Sequence, residues 1–247
     1  MSSTKEKILD AAEELFADHG FTETSLRMIT AKAEVNLASV NYHFGSKKTL
    51  IQAVFDRFMQ HFTQDLSVEM ERLEQSSADK SNGALKVIDV LTTLITPINK
   101  LNQLRPDGAG VFMNLLGRAY AETQGHIRRF AMENYADVLK RFTQLLQVTS
   151  PNILPSTMFW RLHFMLGSFI FTLAGHKALQ EISESDFNQQ VTIEEIIKQL
   201  VPFMSAAFSF DGDHMNDNQS INSNQTSQNS LGLDSNTEHQ SLSAGEH

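Results

Sequence analysis

The sequence predicts an all-α protein in which a small N-terminal domain precedes a larger helical one. Apolar residues recur at close to the helical period almost throughout, and no run alternates apolar and polar residues as a half-buried strand does. Hydrophobic residues make up 41% of the chain and charged residues 20%, a balance that suits a protein with a buried core. The 247 residues are enough for two domains.

The first helix is predicted over residues 4–19. Ser3 and Glu6 have the spacing of a capping box, in which each side chain accepts a hydrogen bond from the backbone N–H at the other position. Gly20 is expected to end the helix, because glycine readily adopts the left-handed conformation that follows a helix.

Two short helices are predicted next, over 25–33 and 37–44, and the three residues between them give the spacing of a helix-turn-helix. A fourth helix is predicted after Gly45, with Ser46 as its N-cap, and it runs to about Glu74. These elements predict a tri-helical helix-turn-helix domain over residues 1–61.

The remainder predicts a second helical domain over residues 62–210, which brings the total to nine helices. Its five helices are predicted over residues 84–101, 109–118, 124–147, 156–179 and 193–208. Pro97 and Pro202 fall inside two of them, and each is expected to kink or shorten its helix. Residues 211–247 are rich in Asn, Gln and Ser and have no aromatic side chain, so we expect a disordered tail.

Several kinds of protein are disfavoured by the sequence. There is no cysteine, so disulfides and thiolate metal sites are excluded. The N-terminus does not resemble a secretion signal, and the longest uncharged apolar stretch, 164–175, is shorter than the roughly 20 residues of a membrane span. No catalytic motif stands out. We therefore expect a cytoplasmic protein that is not an enzyme and has no cofactor, metal site or membrane segment.

The net charge of −9 argues at first against a nucleic-acid partner. However, six of the acidic residues lie in the tail 211–247, which contains no Lys or Arg, so the rest of the chain carries only −3. Between Glu34 and Asp56 there is no acidic residue, whereas Lys47 and Lys48 lie in this stretch. The overall charge therefore does not exclude binding to DNA.

The segment 24–50, TSLRMITAKAEVNLASVNYHFGSKKTL, resembles the DNA-binding signature of the TetR family of transcriptional regulators. The resemblance rests on the helix that ends in AKAEV, the second helix that closes in NYHF, and the GSKK that opens the next helix. It implies that helix 37–44 enters the major groove of operator DNA.

The chemistry of the residues around this helix agrees with that expectation. Short polar side chains can hydrogen-bond to base edges, small apolar ones can contact thymine methyl groups, and cations, hydroxyls and helix N-termini can hold phosphates. The predicted DNA-binding residues are Thr24, Ser25, Arg27, Asn36, Leu37, Ala38, Ser39, Asn41, Tyr42, His43 and Lys47. Structural roles stay open for Tyr42 (packing on the next helix), for His43 (helix C-terminal charge) and for Lys47 (solvated cation).

The resemblance also implies a homodimer on a palindromic operator. Helices 156–179 and 193–208 would pair with their symmetry mates as a four-helix bundle. The first of these is apolar nearly all round and contains Gly167, Ala174, Gly175 and Ala178, which would allow a neighbouring helix to approach closely.

The family fold further implies a cavity for a small apolar effector. The second domain is rich in Phe, Leu and Met, which suit an acyl chain, and its arginines could meet an anionic head group. The predicted ligand-binding residues are Phe112, Leu116, Arg118, Phe130, Phe164 and Phe169. The run VNLASVNYHFGSKKTLIQAVF is especially similar to the PsrA-like, fatty-acid-responsive branch of the family, which implies a repressor of fatty-acid degradation genes that a long-chain fatty acid or acyl-thioester releases.

Two alternatives remain open. The chain could be a TetR-type repressor of an efflux or other metabolic operon with a different hydrophobic inducer. It could also be a helical lipid-binding protein that does not bind DNA.

Overall fold

A computed structural model describes residues 3–78, 84–122 and 125–210 of the chain. Within these ranges every regular element is a helix, which confirms the all-α prediction. The helices are α1 (Thr4–Glu23), α2 (Leu26–Ala33), α3 (Leu37–Phe44), α4 (Lys47–Ala78), α5 (Val87–Thr92), α6 (Ile95–Leu104), α7 (Gly108–Ala121), α8 (Gly125–Thr149), α9 (Pro155–Ala174), α10 (His176–Phe187) and α11 (Ile193–Ser209).

The prediction of nine helices is wrong, because the described residues form eleven. The predicted helix 84–101 is divided into α5 and α6 around Thr93. A proline ring clashes with the carbonyl of the residue four positions earlier, and for Pro97 that residue is Thr93. The predicted helix 156–179 is divided at Gly175, and the axes of α9 and α10 differ by 69°. By contrast, α11 continues through Pro202 to Ser209.

Local capping side chains define the short helices near the N-terminus. Ser25 caps α2, where its hydroxyl accepts a hydrogen bond from the Met28 N–H at 3.2 Å. Asn36 caps α3 in the same way and accepts from the Ser39 N–H at 2.8 Å. Between them Glu34 takes a left-handed conformation with φ 54°, which reverses the chain within the predicted three-residue turn.

We call α1–α3 together with residues 47–54 of α4 the N-terminal bundle. Its interior contains Ile8, Phe16, Ile29 and Val40, each fully buried. This bundle is not separated from the rest by a break in the chain, because α4 is one helix of 32 residues. The described residues up to Ser209 form one compact unit. The division into domains at residue 61 stays a prediction, and the predicted disordered tail lies outside the described residues.

The helix α7 lies at the centre of the larger part of the molecule. It packs against α1, α6 and α9, while α4 packs against α6 and α8. Its N-terminal turn is very tight: a Cβ at Gly108 would overlap the Leu101 carbonyl, and one at Gly110 would overlap the Asp107 carboxylate. The Gly-Ala-Gly sequence therefore serves close packing of the turn between α6 and α7.

A set of ion pairs joins α1 to α4 and to the end of α6. The Glu13 side chain, 2% exposed, forms ion pairs with Arg57 at 3.0 Å and with Arg105. Arg57 also pairs with Glu6 at 2.6 Å and with Asp10 at 2.8 Å. A buried carboxylate requires such partners, because leaving it unpaired would cost several kcal/mol.

We expect Gly20→Ala to destabilise the protein by about 2 kcal/mol or more, and Gly45→Ala by about 1 kcal/mol. Both glycines have positive φ, 84° and 70°. A Cβ at Gly45 would meet nothing within 4 Å, whereas one at Gly20 would also overlap the carboxylate of Glu122. Urea unfolding at equal protein concentration measures the two free energies of unfolding. Equal losses of unfolding free energy in the two variants would mean that the overlap with Glu122 does not contribute to the destabilisation.

Among the described residues, no single helix combines the length and the apolar character needed to cross a membrane. The bent pair α9 and α10 meets these criteria by length and composition only.

Candidate nucleic-acid interface and internal cavity

The outer face of α3 is formed by polar side chains. Val40 and Phe44 point into the core, whereas Asn41, Tyr42 and His43 are exposed. Tyr42 is 86% exposed, and its ring contacts that of His43 at a centroid distance of 5.1 Å. This exposure speaks against packing of Tyr42 on α4 and leaves its hydroxyl available to a partner.

The side chains at the start of α3 are partly engaged with each other. The Oδ1 atom of Asn36 accepts from both the N–H and the hydroxyl of Ser39, at 2.8 and 3.0 Å. Asn36 therefore caps α3, and Ser39 is the residue that its side chain binds. Leu37 is 43% exposed and Ala38 is exposed beside it.

The remaining predicted DNA-binding residues lie at the ends of the neighbouring helices. Thr24 is fully buried, and its hydroxyl donates to the Leu15 and Gly20 carbonyls at 3.0 and 2.7 Å. The Thr24 side chain therefore serves the fold, which leaves only its backbone for a phosphate. Arg27 is exposed, and the Lys47 ammonium lies 3.4 Å from the Thr22 carbonyl.

A helix with this surface fits the major groove. Base edges there present donors, acceptors and thymine methyl groups to short side chains, and phosphates flank the groove on both sides. Along α3 the structure places Val40 and Phe44 inward, whereas Leu37 and the small and polar side chains are at least partly exposed.

An apolar cavity of about 500 Å³ lies beside the N-terminal bundle. Its walls come from α4, α7, α8 and α9. The lining residues are Phe55, Met59, Phe62, Phe112, Met113, Leu116, Ala119, Tyr120, Gly125, Ile127, Arg128, Phe130, Ala131, Met132, Leu139 and Leu166. Within this lining, Tyr120 and Arg128 alone have polar side chains.

The structure brings three of the six predicted ligand-binding residues to this cavity: Phe112, Leu116 and Phe130. The other three lie elsewhere, for different physical reasons. The guanidinium of Arg118 donates to the Asp18 carbonyl at 3.0 Å, outside the cavity. Phe164 is 65% exposed on α9, and Phe169 is buried in the core without reaching the cavity wall.

The sequence analysis did not predict that side chains of α4 line the cavity. Phe55, Met59 and Phe62 are spaced by four and three residues, so they form a stripe along one face of the helix. This stripe runs beside a second one formed by Leu50, Val54, Phe58 and Phe62, which also recur at the helical period. Two adjacent stripes are the signal of a helix that is buried on two sides.

Positive charge lies near the part of the cavity where α8 begins, with Arg128 on the wall itself. Burial raises the pKa of the Tyr120 hydroxyl, and the charge of Arg128 opposes this effect. Burial, together with the charges of Lys48 and Arg129, lowers the pKa of His126. An anionic group would be favoured here, because it would meet cations and the N-terminus of a helix.

Aromatic rings connect the cavity wall to the core of the N-terminal bundle. Phe21 of α1 contacts Phe55 at a centroid distance of 6.0 Å, and Phe55 contacts Phe112 at 6.5 Å. Phe58 stacks on Phe112 at 5.4 Å. The wall of the cavity and the core beneath α3 therefore belong to one packed cluster.

The helix α9 has an exposed apolar face. Trp160, Phe164, Gly167 and Phe171 follow one another at spacings of four, three and four residues, which places them on one side of the helix. A Cβ at Gly167 would meet nothing within 4 Å. Exposed aromatic patches of this kind mark association surfaces. Since α10 turns away at Gly175, the predicted pairing helix 156–179 keeps one direction only as far as Ala174.

Two models of one protein family match the chain. The model described as "Bacterial regulatory proteins, tetR family" matches residues 8–54, which contain the helix-turn-helix. The model described as "Tetracyclin repressor-like, C-terminal domain" matches residues 92–207, which contain most of the cavity wall. Together the two matches cover about two thirds of the chain.

Curated relatives are similar over the N-terminal part. The probable regulator YttP of Bacillus subtilis (strain 168) is 32% identical over 90 residues, which are 36% of this chain and 43% of that protein. A transcriptional repressor of Mycobacterium tuberculosis (strain ATCC 25618 / H37Rv) is 44% identical over 62 residues, 25% of this chain and 33% of that protein. The chain thus matches less than half the length of these relatives, and both are helix-turn-helix transcriptional regulators.

Solved structures share the fold over most of the chain. A TetR-like regulator from Rhodococcus sp. RHA1 has a TM-score of 0.55 and 17% identity over 84% of this chain and 97% of that one. A fatty acid degradation regulator from Bacillus halodurans has a TM-score of 0.52 and 15% identity over 85% and 99%. At such identities the likeness concerns the fold alone. With both family models matched in their proper order, the chain belongs to the TetR family of transcriptional regulators and carries a helix-turn-helix DNA-binding domain.

Proposed function

We propose that this protein is a cytoplasmic repressor that binds a palindromic operator as a homodimer and releases it when a long-chain fatty acid or acyl-thioester enters the cavity. The regulated genes would be those of fatty-acid degradation. The observation that carries the proposal is the apolar cavity, whose α4 wall continues directly into the N-terminal bundle.

The cavity suits an elongated apolar ligand with an anionic end. Its volume of about 500 Å³ lies within the range of small-molecule sites, and most of its wall consists of Phe, Leu, Met and Ala side chains. Tyr120 and Arg128 could hold a carboxylate or the polar part of a thioester, while the acyl chain would contact Phe112 and Phe130.

Induction would work through a shift between two states of the dimer. A ligand releases DNA only if it binds better to the state in which the two α3 helices no longer match successive major grooves. Because α4 lines the cavity with Phe55, Met59 and Phe62 and carries the N-terminal bundle at its start, occupancy of the cavity would favour one orientation of that bundle.

The proposal is tested by identifying the small molecule that accompanies the protein. The purified protein is denatured, extracted and analysed by mass spectrometry. We expect long-chain acyl species in the extract, and we expect palmitate to lower the affinity for an operator selected from random duplexes. A polar aromatic compound in the extract, or no response to palmitate or palmitoyl-thioester, would contradict the acyl effector.

Filling the cavity is expected to remove effector binding. Ala119 lies on the wall, so Ala119→Phe should weaken palmitate binding at least about tenfold, because the ring would occupy space that the acyl chain needs. Isothermal titration calorimetry measures the affinity. Ala121→Phe is the matched control, since Ala121 lies on the same helix but is exposed and away from the wall. Equal affinities for the two variants would place the ligand elsewhere.

A repressor of an efflux or other metabolic operon is the second candidate. It is favoured by the positions of Tyr120 and Arg128, which are both substantially exposed, so that the buried part of the wall has no polar side chain. A neutral hydrophobic inducer would then bind as well as an anionic one, and titration with an alkane alcohol beside palmitate separates the two cases.

A further inference from the structure

The break in α1 at Gly20 leaves two backbone N–H groups that need acceptors. The conformation of Gly20, with φ 84° and ψ 171°, interrupts the helix, so the Phe21 and Thr22 N–H groups are satisfied from outside α1. Unpaired backbone donors are costly in a folded protein, and the first turn after such a break requires acceptors from elsewhere.

These acceptors come from the residue that follows the C-terminal end of α7. The carboxylate of Glu122, the residue that caps α7, accepts from the Phe21 N–H at 3.1 Å and from the Thr22 N–H and hydroxyl, both at 2.8 Å. Burial alone would raise the pKa of Glu122, but these hydrogen bonds and the charge of Arg118 outweigh it and hold the pKa below its usual value. Glu122 therefore caps the last turn of α1 from another helix.

Arg118 reinforces the same contact one turn earlier on α7. Its guanidinium donates to the Asp18 carbonyl at 3.0 Å, on the other side of the break. The two side chains thus bind the backbone on both sides of Gly20. Glu122 accepts from the N–H groups that follow Gly20, and Arg118 donates to a carbonyl that precedes it. We call Arg118, Glu122 and the backbone of 18–22 the α7–α1 clamp.

The clamp lies within one turn of the cavity wall. Ala119 and Tyr120, which line the cavity, are located between the two clamping residues on α7. The turn that precedes α7 is also tied to α1, because Arg105, at the end of α6, pairs with the buried Glu13. A shift of α7 must therefore displace α1 as well or break one of these contacts.

We propose that Glu122 is a positioning residue that transmits the state of the cavity to the N-terminal bundle through the last turn of α1, an inference that rests on the proposed effector cavity. When α7 is displaced at Ala119 and Tyr120, Arg118 and Glu122 move with it and displace the backbone on both sides of Gly20. The preceding turns of α1 then reorient α2 and α3, with which α1 shares its core.

Hydrogen exchange in the full-length protein tests the clamp without operator or effector. Glu122→Gln should speed exchange of the Phe21 and Thr22 amides about tenfold, because a neutral amide is a weaker acceptor than a carboxylate. Glu74→Gln is the matched control: Glu74 is another carboxylate held by an arginine between helices, and its loss should leave these two amides unchanged.

The transmission itself is tested by a cycle of substitutions. Ala119→Phe displaces the wall permanently. In the wild-type background it should change the amide exchange rates of residues 18–23 severalfold. In combination with Glu122→Gln it should leave these rates unchanged. Met132→Trp, at a wall residue of α8 that is 53% exposed, serves in the same way where the first variant folds poorly.

Two results would overturn the inference. Filling the cavity could leave residues 18–23 unchanged in the wild-type background, or it could change them equally with and without Glu122→Gln. A purely structural role of Glu122 would give the second result. Failure of the proposed effector is distinguishable, since it would appear as absent palmitate binding while the exchange cycle still gives its own answer.

Discussion

Replacing Asn41 and Tyr42 together by alanine is expected to lower operator affinity about a thousandfold without disturbing the fold. Both side chains are exposed on α3, so their removal creates no cavity. Each lost hydrogen-bonding contact costs on the order of 1 kcal/mol, and a two-fold dimer loses both contacts twice. Fluorescence anisotropy with a labelled duplex, selected from random sequences by the wild-type protein, measures the affinity.

The salt dependence of binding adds a second criterion. Neither substitution removes a cation, so the slope of affinity against salt concentration should stay as in the wild type even though the affinity falls. Gln144→Ala, an exposed position on α8, is the control and should bind as the wild type does. A loss smaller than about tenfold would mean that α3 does not read the duplex, and it would favour a lipid-binding protein without operator function.

Phe164→Asp is expected to convert the protein to a monomer and to abolish tight operator binding. Phe164 is 65% exposed at the centre of the α9 stripe, and its burial against a second copy would contribute about 1.5–3 kcal/mol per side chain. An aspartate there would instead place an unpaired charge on each side of the interface. A monomer presents one α3 helix, which reaches only half of a palindromic site.

Sedimentation velocity gives the oligomeric state of this variant. Trp160 is the single tryptophan of the chain and lies on the same stripe, 6.0 Å from the Phe164 ring, so its fluorescence reports the change in exposure. Val148→Asp, at an exposed aliphatic residue near the end of α8, is the control and should remain dimeric. If Phe164→Asp stayed dimeric at micromolar concentration, the two-fold interface would lie on another face.

The two predictions separate different parts of the function. Loss of the α3 contacts should leave the dimer and palmitate binding intact, because Asn41 and Tyr42 line neither the cavity nor the exposed stripe of α9. Loss of the α9 stripe should leave each α3 helix intact but unpaired. A protein that lost operator binding in neither case would not be the dimeric repressor proposed above.

The helix-turn-helix was predictable because its signals are local. The bounds of α3 agree with the sequence prediction at both ends, since Asn36 caps its start and Gly45, at positive φ, ends it. The helix α2 ends at the predicted residue, Ala33, and begins one residue later than predicted, at Leu26, with Ser25 as its N-cap. Periodicity likewise predicted α11, whose apolar stripe continues through Pro202.

The candidate site was predicted only in part, because membership of a cavity depends on how helices face one another. Phe112 and Leu116 of α7 reach the cavity, but Arg118, two residues further on, points to α1. Periodicity gives the face on which a side chain lies, but it does not say whether that face meets a cavity, a neighbouring helix or solvent.

By itself the sequence determined an all-helical protein with a short helix at 37–44 that closes a helix-turn-helix, because caps, turns and apolar spacing act within a few residues. Only the tertiary structure decided the break at Gly175, the share of α4 in the cavity, and the partner of Glu122. That carboxylate binds the Phe21 N–H across 101 residues of chain, and no local pattern specifies such a contact. It exists because packing of α7 against α1 brings an acceptor to donors that the Gly20 break leaves unpaired.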